Sequence, residues 1–212
     1  SVNSVGIHQG YWVHSSRTLD LHIRPHVAGA SRSVDDNVWN LTLKATDQNG
    51  ISAGDFVTIG LSEEATNDFR YGEDEFDLPD PMVDSYIDLF IKNIDWVGRE
   101  DVNGISVDSP YFVSDIRETP AMDNVQIWNV SGMTHNMTGD VNLAWDMDAI
   151  DDVYNVYAII NGETYDMSEI SSISVSQEDL SNITLLVGSG NMGQSIDLPE
   201  EFSLSSAYPN PF

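Results

Sequence analysis

Six carboxylates crowd one stretch of the chain, Asn67 to Pro81: Asp68, Glu73, Asp74, Glu75, Asp77 and Asp80. Oxygen donors at that density suit a hard cation, because Ca²⁺ is held by carboxylate, carbonyl and water oxygens. An ion there would pin a long loop that is otherwise costly to order. The spacing is not that of an EF-hand. The same stretch carries Phe69, Tyr71, Phe76 and Leu78, and packing of these over a sheet edge would anchor the loop without any metal. A second acidic run, Asp146 to Asp152, places Ile150 where a calcium loop needs its third ligand. Its simpler reading is that Trp145 fills a core and the acids decorate the turn after its strand.

The other chemistry-bearing groups are rings. Five Trp and eight Tyr are more than the core of a small β protein needs, and exposed aromatic faces stack on sugar rings. Tyr11, Trp12, Tyr71, Tyr86 and Trp96 have polar or loop-like neighbours and are the candidate ligand-binding residues. Trp39, Trp128 and Trp145 lie in alternating segments and are assigned to cores. His22, Arg24 and His26 fall on one face if extended, but a metal needs a third ligand and Arg24 opposes it. His8 and His14 have no assigned place. No Gly-x-Ser-x-Gly elbow, His-Glu-x-x-His pair or P-loop occurs. The expectation is therefore a chain that is not an enzyme, with no catalytic residue assigned.

Charge narrows the partners. The 212 residues carry 35 Asp+Glu against 8 Lys+Arg, a formal net charge of -27. Such a surface repels phosphate backbones and anionic headgroups, which argues against nucleic acid and against membrane surfaces. No run approaches the roughly 20 apolar residues of a spanning helix. The excess of acids suits salt water, where screening relieves self-repulsion, and it also suits a soluble, aggregation-resistant surface. With no cysteine, neither a disulfide nor a thiolate is available.

The elements that must position these groups are strands. Apolar residues recur with period two almost throughout, as in Trp39-Asn40-Leu41-Thr42-Leu43-Lys44-Ala45, and no segment carries a convincing helical period. Strands are predicted at 10–14, 19–23, 39–45, 56–61, 86–91, 111–116, 124–130, 141–145, 154–160, 163–167 and 182–187. Asp47-Gln48-Asn49-Gly50 reads as a turn, and Asn161-Gly162 as a hairpin. The fold class expected is all-β, with two β-sandwich domains. Residues 1–119 form the first and 120–188 an immunoglobulin-like or fibronectin-III-like second. Residues 189–212 follow, opening on a small, polar linker. The boundary between the two sandwiches is placed near Arg117–Asn124.

The last fifteen residues hold the most specific signal, Leu198-Pro199-Glu200-Glu201-Phe202-Ser203-Leu204 running on to Tyr208-Pro209-Asn210-Pro211-Phe212. This resembles the opening of the Por-type C-terminal sorting domain of type IX secretion cargo. Phe202 and Leu204 match its Phe-x-Leu stretch, and Tyr208 to Phe212 match its Tyr-Pro-Asn-Pro-Phe turn. The resemblance implies a secreted or surface-attached bacterial protein of Bacteroidetes-like lineages, cut at the start of its sorting domain. A looser resemblance, to segments that precede such domains, covers Trp39–Ala45, Asp74–Pro81, Tyr86–Phe90, Ser114–Arg117 and Leu143–Asp146. It speaks to organisation and adds nothing about chemistry.

Taken together, the sequence leads to an extracellular or cell-surface, non-enzymatic structural or assembly module of a larger secreted protein. Its partners would be other copies of the chain or other surface proteins, met by strand addition. The alternative is a carbohydrate-binding accessory module of a secreted hydrolase, with polysaccharide as partner. Ca²⁺, at the six carboxylates of the acidic loop, is the one cofactor considered.

Overall fold

The computed structural model describes residues 39–77, 80, 83–122, 124–150 and 153–189. The strands predicted at 10–14 and 19–23 lie outside the described residues. So do Tyr11, Trp12, His8, His14, His22, His26 and the 198–212 resemblance. In chain order the strands are β1 (Trp39–Asp47), β2 (Asp55–Ser62), β3 (Glu75–Phe76), β4 (Tyr86–Lys92), β5 (Tyr111–Glu118) and β6 (Val125–His135). They continue with β7 (Val141–Met147), β8 (Tyr154–Ile160), β9 (Glu163–Asp166), β10 (Ser172–Val175) and β11 (Ile183–Ser189). Two single 3₁₀ turns, Ile94–Trp96 and Glu178–Ser181, are the only helical elements among the described residues. None of these is long and apolar enough to cross a membrane.

The protein is all-β, as the period-two pattern requires. Trp39, Leu41, Leu43 and Ala45 of β1 are buried on one face while the residues between them are partly or fully exposed. The turn after β1 is tied by its own first residue. Asp47 accepts the N–H groups of Asn49 at 2.9 Å, Ile51 at 3.2 Å and Ser52 at 3.0 Å, bonds that hold its carboxyl below the ordinary carboxylate range. The same Asp-x-Asn-Gly device recurs at Asp101-Val102-Asn103-Gly104, where Asp101 accepts from Asn103 and Ile105, each at 2.8 Å. Gly50 and Gly104 both sit at positive φ, 66° and 78°. Between β8 and β9, Asn161 and Gly162 both take positive φ, 51° and 80°, the two-residue turn whose twist matches that of the strands.

Pairing joins the strands in the order β10-β7-β1-β2-β5-β4-β6-β11-β8-β9, with β3 added on β5. All contacts are antiparallel except β2 with β5, which run parallel. This mixed sheet curls until its two ends meet. The indole N–H of Trp145 on β7, near one end, donates to the carbonyl of Met167, just past β9 at the other, at 2.9 Å. Leu41 and Leu43 of β1, Leu89 of β4, Trp128 of β6 and Leu185 of β11 all belong to one contiguous buried cluster.

The expected division near Arg117–Asn124 into two sandwiches is not supported. β1 pairs with β7 from Leu41↔Met147 to Asp47↔Val141, and β4 pairs with β6 from Tyr86↔His135 to Ile91↔Val130. Both ladders join chain from either side of Thr119-Pro120. The compact unit that holds these strands begins at Asp36 and includes both sides of the expected boundary. The second half supplies short strands, but two of them, β6 and β7, each pair along one edge with a strand of the first half. Smaller departures are β6, which runs on to His135, and the short β3 and β10, which the pattern did not show.

Candidate functional site

β6 is long, and its neighbours do not cover it evenly. Along one edge β11 pairs with Val125 to Val130, while on the other β4 reaches only from His135 back to Val130. Beyond that point β4 bends away through the Ile94–Trp96 turn, so side chains replace the ladder. The Arg117 guanidinium donates to the Ile127 carbonyl at 2.7 Å, and the Gln126 amide donates to the Glu118 carbonyl at 3.0 Å. The splay opens a cleft of about 710 Å³, a size typical of small-ligand sites.

Its floor is built from fixed groups. Arg117 forks onto Asp115, Nε to Oδ1 at 2.9 Å and Nη2 to Oδ2 at 2.8 Å, and lies 4.9 Å over the Trp128 ring. Asp115 is fully buried, so the guanidinium is locked and its charge largely neutralised. Gln126 also donates to the Asn67 side-chain oxygen at 2.9 Å, and Asn67 in turn donates to Glu118 Oε1 at 2.7 Å. Asn67 and Gln126 also line a second cleft, of about 340 Å³, that continues past Glu118 and Pro120. The larger cleft is also lined by Asn93, Asn129, Ser131 and Asn182, and by Lys92 and Arg99. Ile94 and Ile127 supply the apolar surface, 68% and 47% exposed.

The predicted ligand-binding rings do not converge here. Trp96 lines the cleft but is only 1% exposed. Its indole N–H donates to the Asn67 carbonyl at 3.0 Å, and its ring meets Phe112 edge-on at 4.9 Å and Phe69 at 5.7 Å. The polar residues around it belong to a 3₁₀ turn that presses the ring inward, so it is a core residue and not a stacking platform. Tyr86 donates to Asp80 Oδ2 at 3.1 Å and stacks on His135 at 5.1 Å; burial first, then that bond, raises its hydroxyl pKa. Tyr71 is 36% exposed on the acidic loop. Neither tyrosine lines these two clefts. Trp39, Trp128 and Trp145 are buried as expected.

The acidic loop is anchored by packing. Phe69 and Phe76 sit 5.1 Å apart, and each lies against Phe112, at 5.8 Å and 5.4 Å. Its carboxylates turn to separate partners: Asp68 to Arg99 at 2.6 Å, Glu73 to Arg70 at 3.0 Å, Asp80 to Tyr86. Glu75 is exposed in β3, and the Asp77 N–H donates to the Tyr111 carbonyl at 3.1 Å. Asp74 is buried, accepts the N–H groups of Arg70 and Ile116, and is pushed up to about 7 by desolvation. Among the described residues no group of three or more His, Asp or Glu side chains is placed to hold a metal. In the second acidic run, Asp148 accepts from the Asn40 backbone at 3.2 Å and from its amide at 3.4 Å, binding the turn to β1.

No family model, curated protein or solved structure matches the chain.

Of the residues that line the cleft, the sequence pointed only to Trp96. One signal could have found them: with only 8 basic residues in 212, the position of each cation is informative. Five of them, Lys44, Arg70, Lys92, Arg99 and Arg117, fall in the described residues, and three of these line one cleft.

Proposed function

We propose that this chain is a non-catalytic saccharide-binding module of a larger extracellular protein. The observation that carries the reading is the lining of the 710 Å³ cleft. Asn93, Asn129 and Asn182 each offer a donor and an acceptor on one side chain, matching sugar hydroxyls, which also do both. Ile94 and Ile127 offer apolar surface to the C–H faces of a ring. The floor is already locked by the Asp115–Arg117 fork and the Asn67–Gln126 pair, so binding would cost little reorganisation. The second cleft extends the first, as an oligomeric ligand requires. Recognition would rest on hydrogen bonds, with no exposed aromatic platform in the cleft. The Phe202-to-Phe212 resemblance to type IX sorting domains supports an extracellular or surface location.

Retention on immobilised polysaccharides tests the reading. Asn129, exposed on β6, is replaced by Trp to fill the cleft. The wild-type chain is expected to be retained and Asn129→Trp to pass through with unchanged melting behaviour. Failure of the wild type to bind any neutral or acidic polysaccharide would reject the proposal.

Self-assembly has one observation in its favour, the exposed Val125, Ile127 and Met133 along the outward face of β6. Strand addition is not favoured at the two ends of the sheet, because β9 and β10 are only four residues each and short edge strands resist pairing.

A further inference from the structure

The cations of the cleft go beyond what a neutral sugar needs. On a chain of net charge -27, three of the five described basic residues converge on one cavity, with Asp95 the one carboxylate in its lining. They are not equivalent. Arg117 is committed to buried Asp115. Lys92 is exposed at the end of β4 and forms no ion pair among the described residues. Arg99 pairs with Asp68, but 54% and 76% of the two side chains remain exposed; such a pair contributes little and can be exchanged for another carboxylate. The cleft thus presents one unpaired ammonium and one exchangeable guanidinium, whose planar fork matches a carboxylate.

Resting on the saccharide reading, we infer that the ligand is an acidic sugar: a uronate-containing oligosaccharide whose carboxylate is held by Lys92 and Arg99 while Asn93, Asn129 and Asn182 bind its hydroxyls. The rest of the surface sets an upper limit on ligand charge. Its repulsion is screened beyond about 8 Å at physiological ionic strength, so a uronate carboxylate can reach the cations, whereas a chain with several charges on each sugar brings more negative charge against the acidic surface than the cations offset. The site is selective for a chain with no more than one negative charge on each sugar.

The experiment compares one sugar backbone in two charge states, at physiological salt and by calorimetry. The probes are oligogalacturonate and its methyl ester, with a heavily sulfated glycan as third arm. Oligogalacturonate is expected to bind at least tenfold more tightly than the ester, and the sulfated chain more weakly than oligogalacturonate. Lys92→Gln with Arg99→Gln should lower oligogalacturonate affinity at least tenfold, to the level of the ester, and Lys92→Arg should retain the preference. Arg117 is left intact because its removal would orphan buried Asp115. Equal affinity for acid and ester, or tighter binding of the sulfated chain, would overturn the acidic-sugar inference while leaving the saccharide reading standing. Absence of binding to all three probes and to neutral polysaccharides would reject both.

Discussion

Asp74 Oδ1 accepts the backbone N–H of Ile116 at 2.8 Å, a bond between residues 42 positions apart. The other oxygen, Oδ2, accepts the Arg70 N–H at 2.8 Å. One buried carboxyl therefore fastens the acidic loop to β5 beside the Asp115–Arg117 fork that floors the cleft.

The same carboxyl makes stability depend on pH. Burial raises Asp74 from 3.8 to about 7, and burial with the Asp80 and Asp55 charges raises Asp88 to about 6. The folded state then binds protons that the unfolded chain has released, so stability falls as pH rises from about 4 to about 7. At about 1.4 kcal/mol per pH unit for Asp74, the loss between pH 5 and pH 8 is expected to be on the order of 2–4 kcal/mol in urea unfolding. Asp74→Asn keeps only one of the two backbone bonds, so it should be less stable at pH 5 yet show a shallower pH slope. An unchanged slope would reject Asp74 as the titrating group.

Unfolding should report a single core. Leu41→Ala on β1 and Leu185→Ala on β11 remove fully buried side chains from opposite sides of Thr119-Pro120. Each is expected to cost about 2–5 kcal/mol and to move one shared transition, coincident by tryptophan fluorescence and circular dichroism. Two separable transitions, each sensitive to one variant, would restore the two-sandwich division.

Two glycines separate crowding from backbone strain. A Cβ at Gly60 in β2 would lie 2.8 Å from the Trp39 carbonyl and 2.6 Å from Ile116 Cδ1, so Gly60→Ala should destabilise by about 1–3 kcal/mol through overpacking. Gly162 has open space but φ of 80°, and Gly162→Ala should cost about 1 kcal/mol through the left-handed backbone alone. Thermal melts of both variants check the ranking.

Calcium is expected to leave the melting temperature unchanged. Asp68, Glu73 and Asp80 point to Arg99, Arg70 and Tyr86, and gathering them around an ion would break those contacts. A rise in melting temperature with millimolar calcium, reversed by chelator, would show that the loop rearranges to bind it.

What the sequence determined on its own is local. Alternation in Trp39–Ala45 set which residues of β1 face inward, because side chains of a strand point to opposite faces in turn. Asn161-Gly162 set a tight hairpin because these two residues take positive φ at low cost. Phe69 and Phe76 set the anchoring of the acidic loop. The tertiary structure alone decided which strands meet. β1 finds β7 about a hundred residues away, and Ile91 finds Val130 across the expected boundary, since a ladder is made by backbone groups that every residue carries alike. It alone turned Trp96 inward, through a carbonyl on Asn67 and two phenylalanines distant in sequence. It also brought Lys92, Arg99 and Arg117 to one cleft. Their convergence comes from where β4 parts from β6, which depends on pairings between segments that lie far apart along the chain.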